Sequence, residues 1–295
     1  MPNFEIPKLT DSLHKGQMGR IGIIGGSENY TGAPFYCAMA AMRTGADLAY
    51  IFTPSHDSAP VIQSYSPDVI VVPGLNSKLE SKWTEKLHSL VVGPGLGDVT
   101  LENLDALRGI VNHWLTLDRP LIVDADGIYN LFLAQNDNNC SILQNLSGER
   151  ASNITVTPNK IEFERLCQKY TVSDSTMENS TAQLALAMGG ITICRKGKVD
   201  CISNGSLTTL CSTIGSPRRC GGQGDVLAGV IAVYLHWATL NGNEVNEDKQ
   251  KQKQKIEAVK EACSFVRNIS LETFKKHGRS MLTSDMLQQM ATLEQ

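Results

Sequence analysis

A chain of 295 residues, 41% hydrophobic and 19% charged, has ordinary globular composition and enough length to bury a substantial core. Its net charge of −3 argues against nucleic acid or an anionic membrane surface as the main partner. Eight cysteines with no CxxC pair, most of them inside apolar runs, read as small buried hydrophobes in a reducing compartment and argue against a structural metal.

The opening stretch "MPNFEIPKLTDSLHKG" lacks a basic region followed by an apolar core, so no secretory signal is read. The first strand-like run, "RIGIIGG" (20–26), is short, β-branched and closed by glycine. Together with "SENYTGAP" it half resembles a dinucleotide fingerprint. Gly22, Gly25 and Gly26 do not match the GxGxxG spacing, however, and no acid ends the next strand, which rejects a Rossmann NAD site. "APFYCAMAAMRTG" follows with apolar residues at helical spacing. "ADLAYIF" (46–52) and "DVIVVPG" (68–74) then read as buried parallel strands. His56 is the one histidine near a strand end, and no HxxxH or His/Cys grouping exists, which argues against a zinc enzyme.

"SLVVGPGLG" (89–97) is a strand ending in alternate glycines, which lets a ligand ring or phosphate lie against bare backbone. A helix pattern over "ENLDALRGIVNHWL" separates it from "PLIVDADG" (120–127). There, Asp124 and Asp126 sit at a strand end: one could orient a metal-bound water, and for Asp126 an ordinary cap is the better reading. "NITVTPN" (153–159) is the next strand and runs into "IEFERLCQKY", a helix pattern. Asn159 and Glu162 have capping-box spacing, and the same pair could serve a phosphate site with Glu162 holding Mg²⁺ directly or through water. The two roles are compatible.

After residue 190, "GITICRKG", "KVDCISNG" and "LTTLCST" follow too closely for helices between them and predict an antiparallel edge. "KGKVD" reads as the turn of a hairpin, with Lys196 and Lys198 either solvated or lining a nucleotide. Next comes "GSPRRCGGQGDVLAG". Gly221, Gly222, Gln223 and Gly224 predict a tight turn with its N–H groups pointing one way, and helix-like sequence starts at Asp225. Such a helix start suits an anion, most naturally a phosphate in transfer. Asp225 could cap the helix or take a proton from a hydroxyl attacking that phosphate; the matching chemistry at the other strand ends favours the base. The apolar run from Val226 to Leu240 is broken by His236 and falls short of the roughly 20 residues a membrane span needs. "NEDKQKQKQKIEAVKEA" (246–262) reads as a solvated loop and helix start. The alternation predicts an α/β fold with a mainly parallel sheet, and the absence of a long linker or repeat predicts one domain over residues 1–295.

"GGQGDVLAG" resembles the anion-hole-and-base motif of the ribokinase-like kinases, whose usual form is GAGD, and Asn159 with Glu162 matches their NxxE motif. More narrowly, "HKGQMGRIGIIGGSENYTGAPFYCAMAAMRTGADL", "VVGPGLG", "VDADG", "TPNKIEFERL", "KGKVD" and "GSPRRCGGQGDVLAG" together resemble the ATP-dependent NAD(P)H-hydrate dehydratases, in that family's order and across nearly the whole chain. Gln223 and the absence of an obvious sugar-binding lid depart from the sugar-kinase members.

The resemblance implies a ribokinase-like three-layer α/β/α sandwich, its central sheet mainly parallel with antiparallel edge strands. It implies a lyase that repairs NADH or NADPH hydrated across the ring's 5,6 double bond. ATP is the co-substrate, and Mg²⁺ is expected to neutralise its phosphates. Residue by residue, the ATP site falls on Lys196, Gly197, Lys198, Val199 and Asp200, and on Gly215, Ser216, Pro217, Arg218, Arg219, Cys220, Gly221, Gly222, Gln223 and Gly224. The hydrated cofactor falls to Gly97, Asn159, Lys160, Ile161, Glu162, Phe163, Glu164, Arg165 and Asp225. Asp225 is the implied base, the backbone of Gly222, Gln223 and Gly224 the implied anion hole, and Glu162 the implied Mg²⁺ ligand. A thiazole, pyridoxal or sugar kinase releasing a stable phosphorylated product is the alternative. The expected setting is cytoplasmic, an organelle-targeted form staying open, with no nucleic-acid or membrane partner and room for a homo-oligomer.

Overall fold

Each apolar run of the first half forms a strand, and the computed structural model describes residues 4–75, 83–134, 143, 148–173, 175–241 and 248–292. In chain order these are β1 (Arg20–Ile24), α1 (Gly32–Thr44), β2 (Leu48–Thr53), α2 (Ser58–Gln63), β3 (Ile70–Pro73), β4 (Ser89–Val92) and α3 (Leu101–Trp114). Then come β5 (Leu121–Val123), the short α4 (Asp126–Ile128) that continues through a π turn at Tyr129–Leu133, α5 (Gly148–Ser152), β6 (Ile154–Val156), α6 (Lys160–Lys169) and α7 (Met177–Ala187). The chain closes with β7 (Thr192–Arg195), β8 (Asp200–Ser203), β9 (Thr208–Cys211), α8 (Gln223–Asn241), α9 (Asp248–His277) and α10 (Thr283–Met290).

The strands form one sheet in the order β3-β2-β1-β4-β5-β6-β7-β8-β9. β1 to β7 run parallel, and β8 and β9 pair antiparallel at one edge, as the close spacing of their sequence runs demands. The chain builds outward from β1 to β3, then returns to the other side of β1 with β4, so the order reverses between β1 and β4. In parallel α/β sheets that switch point opens a crevice at the carboxyl ends of the strands.

The continuous apolar runs are explained by burial on both faces. Ala49 and Ile51 of β2, Val91 of β4 and Ile122 of β5 join one core with α1, α8, α9 and α10. Their neighbours Tyr50, Phe52, Leu90, Val92, Leu121 and Val123 join a second core with α3, α6 and α7. Period-two alternation therefore divides each strand between two apolar layers instead of between core and water. β3 departs from the expectation of full burial: Ile70 and Pro73 are exposed. It is the outer strand, and a proline without an N–H suits an edge that accepts no further ladder.

α8 starts at Gln223, two residues before the expected Asp225, because Gly222 turns the chain at φ +95° and supplies the first helical carbonyl. It is enclosed almost all round, with Val226, Ala228, Val230, Ile231, Ala232 and Val233 fully buried. α1 packs across it so closely that a Cβ at Gly229 would stand 2.2 Å from the Cys37 carbonyl oxygen. The Lys/Gln run is largely the start of α9, with Lys249, Lys251 and Lys253 exposed while Gln254 and Ile256 turn inward; residues 246 and 247 lie outside the described residues. Cys37, Cys194, Cys201, Cys211 and Cys263 are buried free thiols, as their apolar settings suggest; Cys140 lies outside the described residues. No helix among the described residues is long and apolar enough to cross a membrane.

Alanine normally favours a helix over glycine by about 1 kcal/mol. Gly229→Ala is expected to reverse that sign and destabilise by about 1–3 kcal/mol, because the added methyl must part α1 from α8. Urea unfolding of the two proteins checks it; a higher midpoint for the variant would refute the packing argument.

Candidate active site

The carboxyl ends of β1, β4, β5, β6 and β7 each deliver a short polar or glycine-rich segment to one end of the sheet. After β4, Gly93, Gly95 and Gly97 all have positive φ (+127°, +61° and +65°), and a Cβ at Gly95 would stand 2.6 Å from the Tyr30 carbonyl oxygen. The two glycine loops after β1 and β4 thus pack backbone on backbone, which only hydrogen side chains permit. Gly97 is then fixed from the next strand end. Its N–H donates to Asp126 Oδ2 at 2.8 Å, and Asn130 Nδ2 donates to its carbonyl at 3.5 Å and to the Asp126 carbonyl at 2.8 Å. Asp126 is therefore no cap. The cap position of α4 belongs to Ala125 (φ +47°), and the Asp126 carboxylate holds the neighbouring loop.

The capping box at β6 is formed in full. Asn159 Oδ1 accepts the Ile161 and Glu162 N–H groups at 2.9 and 3.0 Å, and Glu162 Oε2 accepts the Asn159 N–H at 2.8 Å. Lys160, Ile161, Glu164 and Arg165 stand exposed on α6, whereas Phe163 is buried in the core with the Arg195 guanidinium 4.1 Å over its ring.

Ahead of α8, Gly222 has no room for a side chain: a Cβ would meet the Tyr36 ring at 2.7 Å and Thr283 at 3.0 Å. Thr283 Oγ1 donates to the Gly221 carbonyl at 2.6 Å, and Gln223 Nε2 folds back onto the Arg218 carbonyl at 3.2 Å. The first intrahelical bond runs from Val226 N–H to Gly222 O at 3.0 Å, so the N–H groups of Gln223, Gly224 and Asp225 precede it and form the positive end of the helix. Asp225 is in the first turn of α8, half-buried, and does not occupy the cap position.

Charge is concentrated beside this turn. Lys196, just past β7, places Nζ 2.7 Å from Asp124 Oδ1, which also accepts from Thr157 Oγ1 at 2.6 Å. A Cβ on Gly224 would lie 3.4 Å from the same Nζ and 3.7 Å from Asp124 Oδ2, so the ion pair faces the helix start across a space one methyl wide. Burial pulls the Lys196 pKa down, but Asp124 and Glu162 outweigh it and raise it, so the ammonium stays charged. Burial, then the charge of Asp124, pushes Asp225 up from the ordinary 3.8 to about 8, with Lys196 opposing and Asp126 adding to the rise. Burial also raises Glu162, against Lys196 and the Asn159 N–H, with Asp124 and Asp126 contributing.

A cavity of about 560 Å³ opens from this point toward α9. It brings together Asn159, Lys196, Gly197, Asp200, Arg219, Cys220, Gln223 and Gly224 from the sequence expectations. Lys198 is exposed on the hairpin turn and Val199 is half-buried. Gly215, Ser216, Pro217, Arg218 and Gly221 belong to the loop that leads into the site and do not line the cavity. Sequence reasoning missed the opposite wall, where Leu227, Cys263, Val266 and Met286 give an apolar face fit for a flat ring, and Arg267 and Ser270 give a polar one. Apart from Leu227, which falls within "GGQGDVLAG", these residues occupy helices with no motif, so ordinary amphipathic spacing was their one signal. Asp124 was seen at its strand end, but its lysine partner lies 72 residues on and is invisible in a linear reading. Ser27 was missed too. Its Oγ is buried with no hydrogen-bond partner and lies 3.0 Å from the Cβ position of Gly97.

Comparison with known proteins bears on this geometry. A family model described as NAD(P)H-hydrate dehydratase matches residues 21–292. The mouse protein described as ATP-dependent (S)-NAD(P)H-hydrate dehydratase is 40% identical over 296 residues, covering 97% of this chain and 81% of the mouse one. Among solved structures, a ribokinase-like superfamily protein from Enterococcus faecalis aligns with a TM-score of 0.76 at 23% identity, over 97% of this chain and 90% of its own. The ADP/ATP-dependent NAD(P)H-hydrate dehydratase of Bacillus subtilis, co-crystallised with ATP and Mg²⁺, aligns with a TM-score of 0.67 at 23% identity, over 97% and 93%. Both share the ribokinase-like fold, which makes the nine-stranded mixed sheet with helices on both faces the expected three-layer sandwich.

The raised pKa of Asp225 makes a stability prediction whose sign is fixed. The unfolded carboxyl ionises near its ordinary value and the folded one near 8, so stability from this group is lost as pH rises through that window. Asp225→Asn removes the ionisation, and its melting temperature is expected to exceed that of the parent above pH 8 and converge with it near pH 4. Equal differences at both pH values would refute the raised pKa.

Proposed function

The chain belongs to the NAD(P)H-hydrate dehydratase family, and from that premise we propose that it dehydrates (6S)-NAD(P)H hydrate at the cost of ATP, releasing NAD(P)H, ADP and phosphate. The observation that carries the mechanism is the placement of Asp225: in the first turn of α8, behind Gly222, Gln223 and Gly224, and within the field of the Lys196–Asp124 pair.

The hydrate carries a hydroxyl on the ring carbon next to nitrogen, and hydroxide is a poor leaving group near neutral pH. Asp225 takes the hydroxyl proton as that oxygen attacks the γ-phosphoryl group of ATP, and the bond to the bridging oxygen of ADP breaks. Backbone N–H groups at the start of α8 and the Lys196 ammonium face the transferring group and stabilise charge there without reorganising. Phosphate then leaves, pushed by the ring nitrogen lone pair, and loss of a proton from the adjacent carbon restores the double bond. ATP fits the 560 Å³ cavity, with the base against Leu227, Val266 and Met286 and the phosphates directed to Gly224. The hydrated ring is assigned to the carboxyl end of the sheet, where the loop after β4 carries Gly97, α6 begins at Asn159 and Glu162, and α8 begins beside Asp225.

The donor set suits Mg²⁺. Burial raises the proton affinity of Glu162 and Asp225, and the charges of Asp124 and Asp126 add to the rise against the opposing charge of Lys196. No group of three metal-binding side chains occurs among the described residues. Glu162 is the residue that would hold Mg²⁺, through the oxygen not committed to the capping box, and the ion supplies neutralisation of phosphate charge. We further propose that residues 1–295 act as one folded unit, since a single sheet separates two continuous cores. The buried free thiols suit a reducing, cytoplasmic setting.

Incubation with acid-hydrated NADH, ATP and Mg²⁺ is expected to restore the near-ultraviolet absorbance of the reduced ring with release of phosphate. A stable phosphorylated product would favour a small-molecule kinase instead. Asp225→Asn is expected to abolish turnover while ATP still binds. In the parent, kcat/KM should rise with pH to a plateau above about pH 8, as burial and Asp124 make Asp225 ionise late. A pH-independent profile would remove Asp225 from the base role. Gly224→Ala is expected to keep its fold yet lower kcat by about 10²–10³-fold, since the methyl fills the space facing Lys196.

A further inference from the structure

The wall of the nucleotide cavity that no motif announces carries one side chain that gathers both loops assigned to ATP. Arg267 of α9 donates from Nε to Asp200 Oδ2 at 2.6 Å, from Nη1 to Lys198 O at 2.9 Å and Thr213 O at 3.2 Å, and from Nη2 to Gly197 O at 2.9 Å. The second Asp200 oxygen accepts the Gly197 N–H at 2.9 Å. One helical turn on, Ser270 Oγ accepts the Ser216 N–H at 3.0 Å and donates to the Arg267 carbonyl at 2.8 Å. Arg267 and Ser270 are three residues apart, so they share a helix face, and that face lines the cavity.

These contacts are costly to leave unmade. The side chains of Arg267 and Asp200 are 12% and 7% exposed, and each is charged, so the pair has little water to fall back on. A planar guanidinium satisfies a carboxylate and three carbonyls at once, which an ammonium cannot. Loops of this kind are otherwise the softest part of a fold. Here both the hairpin turn at 196–200 and the loop at 213–218 are fastened to a thirty-residue helix.

We propose that Arg267 and Ser270 are positioning residues of the nucleotide pocket, holding the 196–200 turn and the 213–218 loop at the separation that admits ATP, and that Asp200 serves this clamp instead of touching the nucleotide. The proposal rests on the reading that the 560 Å³ cavity takes ATP. The reacting end stays out of the clamp's reach. Lys196 is fixed separately, by Asp124 at its ammonium and by its N–H to the Pro158 carbonyl at 2.9 Å. Loosening the clamp therefore weakens nucleotide binding in the ground and transition states alike, which raises KM for ATP and spares kcat.

The experiment compares the parent with Arg267→Gln, Arg267→Lys, Asp200→Asn, Ser270→Ala and Arg267→Gln/Asp200→Asn, measuring kcat and both KM values and, by calorimetry, ATP binding. Arg267→Gln is expected to raise KM for ATP about tenfold or more with kcat at saturating ATP within about threefold and KM for the hydrate unchanged. Arg267→Lys, which keeps the charge and loses the fork, should fall between. The double variant should be no worse than Arg267→Gln, because Asp200 acts through the arginine. Should Arg267→Gln not fold, Ser270→Ala and Asp200→Asn are expected to show the same split at about threefold or more. An unchanged KM for ATP in the folded variants, a loss confined to kcat, or an independent further loss from Asp200→Asn in the double variant overturns the clamp. Failure of the parent to bind ATP would sink the reading of the cavity and is scored separately.

Discussion

The ion pair between Lys196 and Asp124 is the contact on which the site depends. It joins the ends of β5 and β7, takes in β6 through Thr157, and faces the start of α8 across Gly224. Four elements distant in sequence are thereby brought to one point of charge. One ammonium stands among several carboxylates, and burial, reinforced by the charge of Asp124, makes Asp225 ionise late. On the proposed reading, an incoming polyphosphate with its cation changes that balance, which would link the protonation of Asp225 to nucleotide binding through the same lysine.

Much of the fold was legible because strands buried on both faces leave a plain trace. "RIGIIGG" and "SLVVGPGLG" became β1 and β4 with their glycine ends trimmed into loops, and "ADLAYIF" became β2 shifted to Leu48–Thr53. The antiparallel edge followed from spacing alone. What the reading lost was local. α4 and its π turn hid behind "VDADG", where the strand is just three residues long, and α2 and α7 carried no punctuation strong enough to mark them. The exposure of β3 is a property of strand order, which composition does not encode.

The site divides along the same line. Asp225, Gly222, Gly224, Asn159 and Glu162 were legible because turn chemistry and helix starts are written in consecutive residues. Asn159 and Glu162 do form the structural capping box, so their availability to a ligand rests on the atoms the box leaves free. Asp124's partner, the fastening role of Asp126 on Gly97, and the cavity wall on α9 depend on contacts across many tens of residues and left no local trace. Phe163, which the resemblance places among the cofactor contacts, has its side chain in the core.

α8 holds two glycines for unrelated reasons, Gly224 facing the Lys196–Asp124 pair at the site and Gly229 pressed beneath α1. Five residues apart on one rod, they separate the end that serves the site from the body that is packed. The helix body is locked by its surroundings on nearly every side, its first turn borders the cavity, and the turn in front of it is seated on Tyr36 and Thr283.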